Sequence, residues 1–368
     1  MKKIIILENT YYTVLSLRME ILRHFKDKGY EIYVLSKAEK NDIEILEKQG
    51  FHCIPVGTVV LNPIKAVQFF LKLIREIKQI QPDIIFSFTI RPNLFGSIAA
   101  RLLGLPIVSN VTGTGPLTKD NGFVYRLIRL AYKFVFLRNQ RVFFQNEDDY
   151  NFFLLNNYVR PNQAILLPGS GVDTEYYSPR PKTKNEFIFL MISRLIKDKG
   201  VQDYAYAAEL VKMSYPEVKF QLLGPYWKQS TTKNTITEAE VSQWVSQGTL
   251  DYLGYTLDVR PFIANADCAV LPSYREGCAN VLMQGASMAK PLIATDVTGC
   301  RNLVEDGITG YLCEVRNPES LAEKMIQLYN LAEQKRLEMG NMGREKMIKE
   351  YQKKIVLIAY EGEVNLND

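Results

Sequence analysis

The fold of this chain is decided by a pattern whose clearest example is Phe187–Gly200, FIFLMISRLIKDKG. The apolar run Phe187–Ile192 predicts a buried strand, and the polar turn after it leads into a helix that we expect over Gly200–Met213. The same order of strand, polar turn and helix recurs along most of the chain. Such alternation with apolar strands is typical of a parallel sheet that helices cover on both faces.

The predicted elements follow this alternation on both sides of that stretch. Toward the N-terminus we expect strands at Lys3–Leu7, Glu31–Ser36, Cys53–Val56, Asp83–Ser87 and Pro106–Ser109, and helices at Leu15–Lys28, Asn41–Gln49, Pro63–Gln79 and Leu94–Leu103. Toward the C-terminus we expect strands at Lys219–Leu223, Asp251–Leu253, Ala269–Leu271, Pro291–Ala294 and Thr309–Cys313, and helices at Thr237–Gln247, Val259–Asn265, Asn280–Met288, Pro318–Ala332 and Met342–Tyr360. The Pro63–Gln79 helix carries one apolar stripe, formed by Ile64, Val67, Phe70, Leu71, Ile74 and Ile77.

Prolines and glycines cluster within residues 160–187, and the polar stretch Arg180–Asn185 predicts a linker. We therefore expect an α/β chain with two doubly wound, Rossmann-like parallel-sheet domains. The first covers residues 1–178 and the second residues 179–345, and a final helix within residues 346–368 is expected to pack back on the first. Two such domains predict a cleft between them, since ligands of doubly wound sheets bind beyond the carboxyl ends of the strands.

The composition excludes several classes of protein. Of the 368 residues, 47% are hydrophobic and 23% are charged, as in globular proteins and unlike disordered or collagen-like chains. With two histidines, and five cysteines that form no Cys-x-x-Cys pair, we expect reduced thiols and no histidine-built metal site. No apolar run approaches the ~18 residues of a membrane span. The run that follows Met1-Lys2-Lys3 is too short for a signal peptide.

The strongest chemical motif is Ser273–Ala286, SYREGCANVLMQGA, which follows a predicted strand. Its glycine-containing turn opens a helix, so the free N–H groups of Ala279, Asn280 and Val281 are expected to bind a phosphate. Glu276, before the helix, can accept hydrogen bonds from hydroxyl groups, and Gln284 can bond a diol. The alternative is a capped core helix whose glutamate is solvated.

A second motif, Ser193–Gly200, occupies the equivalent turn after the Phe187–Ile192 strand. Arg194 and Lys199 can both reach one diphosphate, arginine as a bidentate fork and lysine as a mobile point charge. For this segment alone, a solvated basic loop is the alternative. Because both motifs follow strands of the same predicted sheet, we expect them at one site.

On these motifs, the chain resembles the retaining glycosyltransferases of family 4, whose GT-B architecture has two facing Rossmann-like domains. Other matching segments of the second half are Leu222–Gly224, Tyr252–Tyr255, Ala266–Asp267, Lys290–Asp296 and Val304–Leu312. In the first half, Thr89–Gly96 and Val111–Gly115 resemble a bacterial subgroup. That subgroup adds hexoses or N-acetylhexosamines to undecaprenyl-diphosphate-linked sugars.

The resemblance implies roles on the donor side. Arg194 and Lys199 would hold the nucleotide diphosphate, and Glu276 would contact the donor sugar. The family usually has a second glutamate where this chain has Gln284, and we expect ribose binding to survive because glutamine can both accept and donate. The donor-binding residues would be Ser193, Gly224, Leu253, Tyr255, Thr256, Cys278, Ala279, Asn280, Val281 and Gln284.

Turns of the first half are expected on the acceptor side. In the Gly113–Gly115 turn, glycine permits close approach to a ligand, although an ordinary turn is the alternative. None of the residues concerned is an obvious general base. They are Asn9, Thr10 and Arg18 near the first strand, Thr89 and Arg91 after the fourth, and Gly113, Thr114 and Gly115.

Positive charge is concentrated in the first half of the chain. Residues 1–180 hold 23 Lys and Arg against 16 Asp and Glu, a net of +7, whereas residues 181–368 hold 22 against 24, a net of −2. The stretch Tyr125–Arg141 mixes aromatic and basic residues at helical spacing, which suits a helix on an anionic membrane. The alternative is a core helix with a solvated basic edge. Nucleic acid is not an expected partner, because no recognition motif accompanies the basic residues.

These observations predict a cytoplasmic glycosyltransferase, peripheral on the inner face of the cell membrane. We expect it to use a UDP-sugar, to retain the anomeric configuration and to act on a lipid-linked saccharide. No Asp-x-Asp motif is present, so neither a catalytic metal nor another cofactor is expected. Two alternatives stay open: a UDP-sugar 2-epimerase, which would need carboxylates and histidines in the cleft, and a catalytically silent sugar-nucleotide-binding subunit, which only Gln284 supports.

Overall fold

The computed structural model describes residues 1–37, 40–57, 63–114, 122–227 and 234–366. The chain divides into two compact units. Unit 1 comprises Met1–Ser170 together with Ile355–Asp368, and unit 2 comprises Gly171–Lys354. In its described part, each unit is a parallel sheet with helices on both faces.

Unit 1 holds a seven-stranded sheet in the order β3-β2-β1-β4-β5-β6-β7, as far as its residues are described. Its strands are β1 Lys3–Thr10, β2 Glu31–Lys37, β3 His52–Pro55, β4 Ile84–Phe88, β5 Ile107–Val111, β6 Arg141–Phe144 and β7 Ala164–Leu166. Its helices are α1 Tyr11–Leu17, α2 Met19–Asp27, α3 Lys40–Lys48, α4 Pro63–Ile80, α5 Ile90–Leu103, α6 Phe123–Phe136 and α7 Glu147–Leu155. The C-terminal helix, α14 Lys353–Asn365, returns to this unit.

Unit 2 holds a six-stranded sheet in the order β10-β9-β8-β11-β12-β13, again for the described residues. Its strands are β8 Ile188–Ile192, β9 Lys219–Leu223, β10 Asp251–Tyr252, β11 Cys268–Leu271, β12 Leu292–Thr295 and β13 Gly310–Cys313. Its helices are α8 Val201–Ser214, α9 Glu238–Ser246, α10 Arg260–Asn265, α11 Asn280–Ser287, α12 Pro318–Tyr329 and α13 Glu333–Glu350. A 3-10 turn, Lys197–Lys199, precedes α8.

The strand order reverses between β1 and β4 in unit 1 and between β8 and β11 in unit 2. Central strands are buried on both faces, as Ile4, Ile5, Ile6 and Leu7 show with at most 1% exposure. These features confirm the predicted fold class of two Rossmann-like, doubly wound parallel sheets. They also direct attention to the carboxyl ends of the strands beside each reversal, where such sheets bind ligands.

The chain joins unit 2 earlier than the proline-rich linker suggests. The amide of Val172 donates to the carbonyl of Tyr351 at 2.8 Å, and the amide of Lys353 donates back to Val172 at 2.9 Å. These bonds tie the chain to the end of α13, so the units divide between Ser170 and Gly171, whereas the sequence predicts residue 178. The chain returns to unit 1 at Ile355, where the sequence predicts residue 346.

Several predicted helices have different ends in the structure. The predicted helix Met342–Tyr360 is two helices, because the chain leaves α13 at Tyr351 to pair with Val172. The Tyr125–Arg141 helix ends at Phe136, and Arg141 begins β6. The link between α6 and β6, Leu137–Gln140, contains no glycine or proline, so the strongest signals for the end of a helix are absent there. β6, α7 and β7 were not predicted.

The apolar stripe predicted on α4 is only partly buried. Ile77 is fully buried, and Phe70 and Ile74 are half-buried against α5 and the sheet. Ile64, Val67 and Leu71 are exposed instead. Helical periodicity identified the helix correctly, but one part of the stripe points away from the sheet.

Candidate active site

Two turns at the carboxyl edge of the unit 2 sheet lie against each other. Ser273 Oγ donates to the carbonyl of Asp198 at 3.1 Å, and the amide of Tyr274 donates to the same oxygen at 2.8 Å. Gly200 has φ +73°, and a Cβ atom there would lie 2.0 Å from the carbonyl oxygen of Pro272. Glycine at this position therefore permits the contact that brings the two predicted motifs together.

This contact places Lys199 beside Glu276. The Lys199 ammonium forms an ion pair with Glu276 Oε1, and the two side chains are 17% and 10% exposed. Arg194 lies on the same turn as Lys199, and its guanidinium is 4.8 Å from the ring centroid of Trp227. The structure thus brings the Glu276 carboxylate to the Lys199 ammonium, and the Trp227 ring orients the Arg194 guanidinium.

Side-chain contacts of the half-buried Tyr274 support the Glu276 turn. Tyr274 Oη donates to Asp203 Oδ1 at 3.1 Å, and the Arg316 guanidinium lies 4.8 Å from the centroid of the Tyr274 ring. Burial raises the pKa of Tyr274 to about 12, so the phenol stays protonated and can donate at neutral pH. Burial also raises the pKa of Asp203. Tyr274 lies in the quoted motif, but no sequence signal pointed to Arg316.

The N-terminus of α11 differs in part from the prediction. Ala279 is the N-cap, but its amide donates to the carbonyl of Gly299 at 3.1 Å, so it is not free for a phosphate. Asn280 and Val281 begin the helix, and the binding of a phosphate by their N–H groups stays a prediction. Gly299 was also missed: a Cβ atom there would lie 2.8 Å from the carbonyl oxygen of Glu276.

Gln284 and Cys278 occupy the same helix region. Gln284 Nε2 donates to Tyr177 Oη at 3.0 Å, a contact from the segment after the unit boundary. Cys278 is half-buried, with Sγ 3.9 Å from Met283 Sδ. Tyr177 therefore positions Gln284, and nothing in the sequence linked these two residues.

The remaining donor-side residues follow the neighbouring strands β8, β9 and β10. Gly224 has φ +149°, and a Cβ atom there would lie 1.8 Å from the carbonyl oxygen of Ser193. The amide of Gly224 donates to the carbonyl of Gly254 at 2.7 Å, which joins this edge to the turn after β10. That turn contains half-buried Leu253, exposed Tyr255, and Thr256, whose Oγ1 accepts from the Asp258 amide at 3.2 Å.

In unit 1, Asn9 and Thr89 meet where the strand order reverses. Asn9 Nδ2 donates to Thr89 Oγ1 at 2.7 Å, and Thr89 has φ +72°, which costs a non-glycine residue about 1–3 kcal/mol. Arg91 is exposed on the first turn of α5. Thr10 caps α1, where its Oγ1 accepts from the amide of Thr13 at 3.2 Å. Asn9, Thr89 and Arg91 thus lie at the expected ligand-binding edge.

Arg18 is buried beside this edge, against residues that directly precede Asn9 and Thr89 in the chain. It is 2% exposed, pairs with Glu8 at 3.4 Å, and lies 4.2 Å from the centroid of the Phe88 ring. Burial raises the pKa of Glu8. Because α1 begins at Tyr11, Arg18 falls between α1 and α2 and turns inward. The structure therefore corrects the expectation that Arg18 contacts an acceptor.

The turn after β5 is held by a residue that the sequence did not single out. Thr114 is 2% exposed, and its amide and hydroxyl both donate to the carboxylate of Asp149, the amide at 3.2 Å. Asn146 Nδ2 donates to the same carboxylate at 2.8 Å. Burial raises the pKa of Asp149, and these hydrogen bonds oppose the shift. Gly113 has φ +129°, and Gly115 lies outside the described residues.

The spacing of Asn146 and Asp149 could have signalled this arrangement. Asn146 is the N-cap of α7, and its Oδ1 accepts from the amide of Asp149 at 2.8 Å. An asparagine followed three residues later by an acid is a helix-start pattern. Applied to residues 146–149, that rule predicts the start of α7 and places Asp149 on its first turn.

Neither a metal-binding cluster nor a membrane-spanning helix occurs in the described part of the chain. Among these residues, no group of three His, Cys, Asp or Glu side chains could hold a metal ion. Within the same ranges, no helix combines the length and hydropathy that crossing a membrane requires.

Comparison with known proteins agrees with this geometry. The family model described as "Glycosyl transferase 4-like" matches residues 3–146, and that described as "Glycosyl transferases group 1" matches residues 186–331. The chain is 25% identical to the N,N'-diacetylbacillosaminyl-diphospho-undecaprenol alpha-1,3-N-acetylgalactosaminyltransferase of Campylobacter jejuni, over 84% of this chain and 85% of that protein. It is 23% identical to the capsular polysaccharide biosynthesis glycosyltransferase CapM of Staphylococcus aureus, over 94% and 92%.

Solved structures share the fold over the whole chain. Anabaena Alr3699/HepE in complex with UDP and glucose superimposes with a TM-score of 0.83 at 17% identity, covering 100% of both chains. At this level of identity the likeness is one of fold.

Proposed function

Because this chain belongs to the family 4 glycosyltransferases of GT-B fold, we propose that it transfers a hexose or N-acetylhexosamine from a UDP-sugar to a lipid-linked saccharide. The observation that carries this proposal is the Lys199–Glu276 ion pair, which joins the turns after β8 and β11 beside the strand reversal of unit 2. Arg194 lies on the same turn as Lys199. UDP in the Anabaena structure and the undecaprenol-linked substrate named for the Campylobacter relative support the choice of donor and acceptor. Bacterial polysaccharide assembly is the setting that the relatives suggest.

In the proposed reaction, the donor diphosphate competes with Glu276 for Lys199. Arg194 and Lys199 then neutralise the charge that develops on the diphosphate as the bond from C1 to the phosphate oxygen breaks. Glu276, released from the ammonium, accepts hydrogen bonds from the donor sugar. These cations supply the charge that a metal ion supplies elsewhere, so the reaction is proposed to need no metal or other cofactor.

Retention of configuration is part of the proposal. The acceptor hydroxyl bonds to C1 on the face that the diphosphate leaves, and its proton passes to a diphosphate oxygen. This route needs no basic side chain, which suits an acceptor side where Asn9, Thr89 and Arg91 provide none.

We propose that the enzyme acts at the inner face of the cell membrane, because a lipid tail would hold the acceptor there. Exposed Leu127, Leu130 and Phe134 on α6, beside Arg126 and Lys133, support this location. Such an apolar row with a basic flank suits the surface of an anionic bilayer.

The test is release of UDP from a panel of UDP-sugars, with and without a lipid-linked acceptor. We expect UDP and an extended lipid-linked product only when both substrates are present, with the anomeric configuration retained in the product. UDP release at the same rate with and without the acceptor would indicate hydrolysis or epimerase-like elimination. Absence of turnover despite tight UDP-sugar binding would favour a silent binding subunit.

A further inference from the structure

Helix α4 exposes a row of apolar side chains that the sequence placed in one stripe with core residues. Ile64, Val67 and Leu71 are between 57% and 71% exposed, and their spacing of three and four residues puts them on one line along the helix. Exposed large apolar residues are ordinary when scattered, but an aligned row marks a binding surface.

The exposed row of α6 repeats the same spacing. Leu127, Leu130 and Phe134 are between 50% and 61% exposed, whereas Tyr132 and Phe136 on the opposite side are buried. These two sets of three residues are called the α4 row and the α6 row.

Helix α5 lies between the two rows. Phe95 of α5 contacts Phe69 and Phe70 of α4, with ring centroids 5.6 and 5.9 Å apart. On its other side, the Arg101 guanidinium lies 4.7 Å from the centroid of the Phe134 ring of α6. Exposed Leu102 adds an apolar residue at the end of α5. With about 8–10 Å between neighbouring helix axes, the rows are roughly 16–20 Å apart.

The charge of this helix layer is strongly positive. The three helices contain one acid, Glu76, on α4. Their basic residues are Lys65, Lys72, Arg75, Lys78, Arg91, Arg101, Arg126, Arg129 and Lys133. Lys72, Arg75, Arg126 and Lys133 are exposed around the two rows. Apolar rows framed by lysine and arginine complement lipid tails framed by anionic headgroups.

We infer that the α4 row and the α6 row together form one docking surface for an anionic bilayer. A single helical row leaves a protein free to rotate about the helix axis, whereas two separated rows fix a plane. Each helix follows a strand of the parallel sheet and runs back from its carboxyl edge, where Asn9 and Thr89 lie. The two rows thereby fix how that edge is held at the membrane. The inference rests on the proposed function in one respect, because a lipid-linked acceptor would require the enzyme to work at a membrane. Binding to vesicles can be measured without any acceptor.

Co-sedimentation with vesicles of phosphatidylglycerol and phosphatidylcholine tests the surface. One variant changes Ile64, Val67 and Leu71 to serine, a second changes Leu127, Leu130 and Phe134 to serine, and a third combines both sets. The control changes Tyr206, Met213 and Leu337, exposed apolar residues of unit 2, to serine. Thermal melts check that all variants fold.

We expect each row variant to lower the partition coefficient at least tenfold, the combined variant to stay in the supernatant, and the control to bind like the wild type. A double variant, Arg126→Glu with Lys133→Glu, should reduce binding to anionic vesicles at low salt. Its control, Arg23→Glu with Lys48→Glu on the opposite face of the sheet, should not. Wild-type binding by the α4 variant would overturn the inference. If neutral vesicles bind as strongly as anionic ones, the basic residues do not contribute to binding, and the inference of a surface for anionic bilayers is overturned as well.

Two further measurements distinguish membrane docking from self-association and from a loss of catalysis. If light scattering shows a wild-type dimer that the row variants convert to monomer, and vesicles bind neither form, the rows are an interface between copies and not a membrane surface. Transfer to an acceptor with a short, water-soluble lipid should be normal in the row variants. If the wild type transfers sugar to none of the acceptors but still binds vesicles, the proposed function is overturned, whereas the inference of a docking surface is not.

Discussion

Among single side chains, the Lys199–Glu276 ion pair links two tasks of the proposed donor site. With both side chains largely buried, neither charge is fully solvated, so each depends on the other until a ligand enters. A diphosphate and a sugar hydroxyl offer replacement partners to the lysine and to the glutamate. This makes the pair sensitive to the donor as a whole and not to UDP alone.

We expect Glu276→Ala to lower transfer roughly 100-fold or more, because the donor sugar loses its hydrogen-bond acceptor. UDP affinity should stay the same or increase, because Lys199 no longer has a carboxylate partner. Steady-state transfer assays and calorimetric UDP titration measure the two effects. The matched control is Glu323→Ala, an exposed glutamate of α12 in the same unit. Full transfer by Glu276→Ala would show that Glu276 does not contact the sugar.

Gln284→Glu should keep transfer within about threefold of the wild type. Tyr177 Oη, which accepts from Gln284 Nε2 at 3.0 Å, can instead donate to a carboxylate, so the contact is conserved with its direction reversed. Gln284→Met, which removes all hydrogen bonding at similar length, should weaken donor binding more. The readout is the KM for the UDP-sugar. If the glutamate variant loses donor binding and the methionine variant does not, the assignment of Gln284 to the donor is wrong.

The sequence predicted that Arg194, Lys199 and Glu276 lie at one edge of a sheet, but it did not predict the residues that support them. Arg194, Lys199 and Glu276 were found because their residue types follow strands of one sheet. Tyr177, Trp227, Gly299 and Arg316 were missed because their contacts come from segments distant in sequence that only the folded chain brings together. The prediction for Arg18 was wrong because the sequence does not show whether an arginine is buried or exposed. In the folded chain, packing against Glu8 and Phe88 buries it.

At the scale of elements, Asp149 joins the first turn of α7 to the turn after β5. Asp149→Ala should leave the Thr114 amide without its acceptor in a buried place, which costs about 1–3 kcal/mol of stability. Because this turn is on the proposed acceptor side, we also expect the KM for acceptor to rise at least fivefold. The KM for the UDP-sugar should be unchanged.

Neighbouring Asp148, which is exposed, provides the control for that variant, and Asp148→Ala should behave like the wild type. Thr114→Ser in the wild-type chain keeps both donors to Asp149, so its acceptor KM should stay normal. Equal changes in the KM of both substrates would mean that Asp149 supports stability alone and does not position the acceptor turn.

Helices and strands were predictable where periodicity and an end signal coincide. β9 was predicted at its observed bounds, and α8 and α11 within a residue at each end, because apolar strands and glycine or polar turns delimit them. Periodicity alone does not tell which side of a helix is covered, so the exposure of the α4 row was unforeseen. It also fails where a short link without glycine or proline joins a helix to a strand, as Leu137–Gln140 joins α6 to β6.

For the whole molecule, two-domain organisation was predictable because continuous apolar strands recur on both sides of a proline-rich stretch. The return of α14 to unit 1 was expected, but its anchor was not. Tyr360 is 1% exposed, its ring lies 4.9 Å from that of Phe86 and 5.2 Å from that of Phe143, and its hydroxyl donates to Asn110. Helix α14 thus completes the core of unit 1.

Unfolding of the whole chain should therefore have two parts that one variant can separate. Tyr360→Ala is expected to destabilise unit 1 by about 3–5 kcal/mol, the usual cost of deleting a large buried aromatic ring, and to leave unit 2 unchanged. The chain has two tryptophans, Trp227 and Trp244, and both belong to unit 2. Tryptophan fluorescence in a urea titration then follows unit 2 alone, while far-UV circular dichroism follows both units.

In the Tyr360→Ala variant, the circular dichroism transition should split, and its first step should precede the fluorescence transition. UDP at about 100 times its Kd should stabilise the fluorescence transition by about 2.7 kcal/mol and leave the first step where it is, because the proposed nucleotide site lies in unit 2. Tyr206→Ala, at an exposed position of unit 2, serves as the control and should leave both probes coincident with those of the wild type. If Tyr360→Ala shifts both probes together, the two cores unfold as one cooperative unit, and the assignment of α14 to the stability of unit 1 alone is wrong.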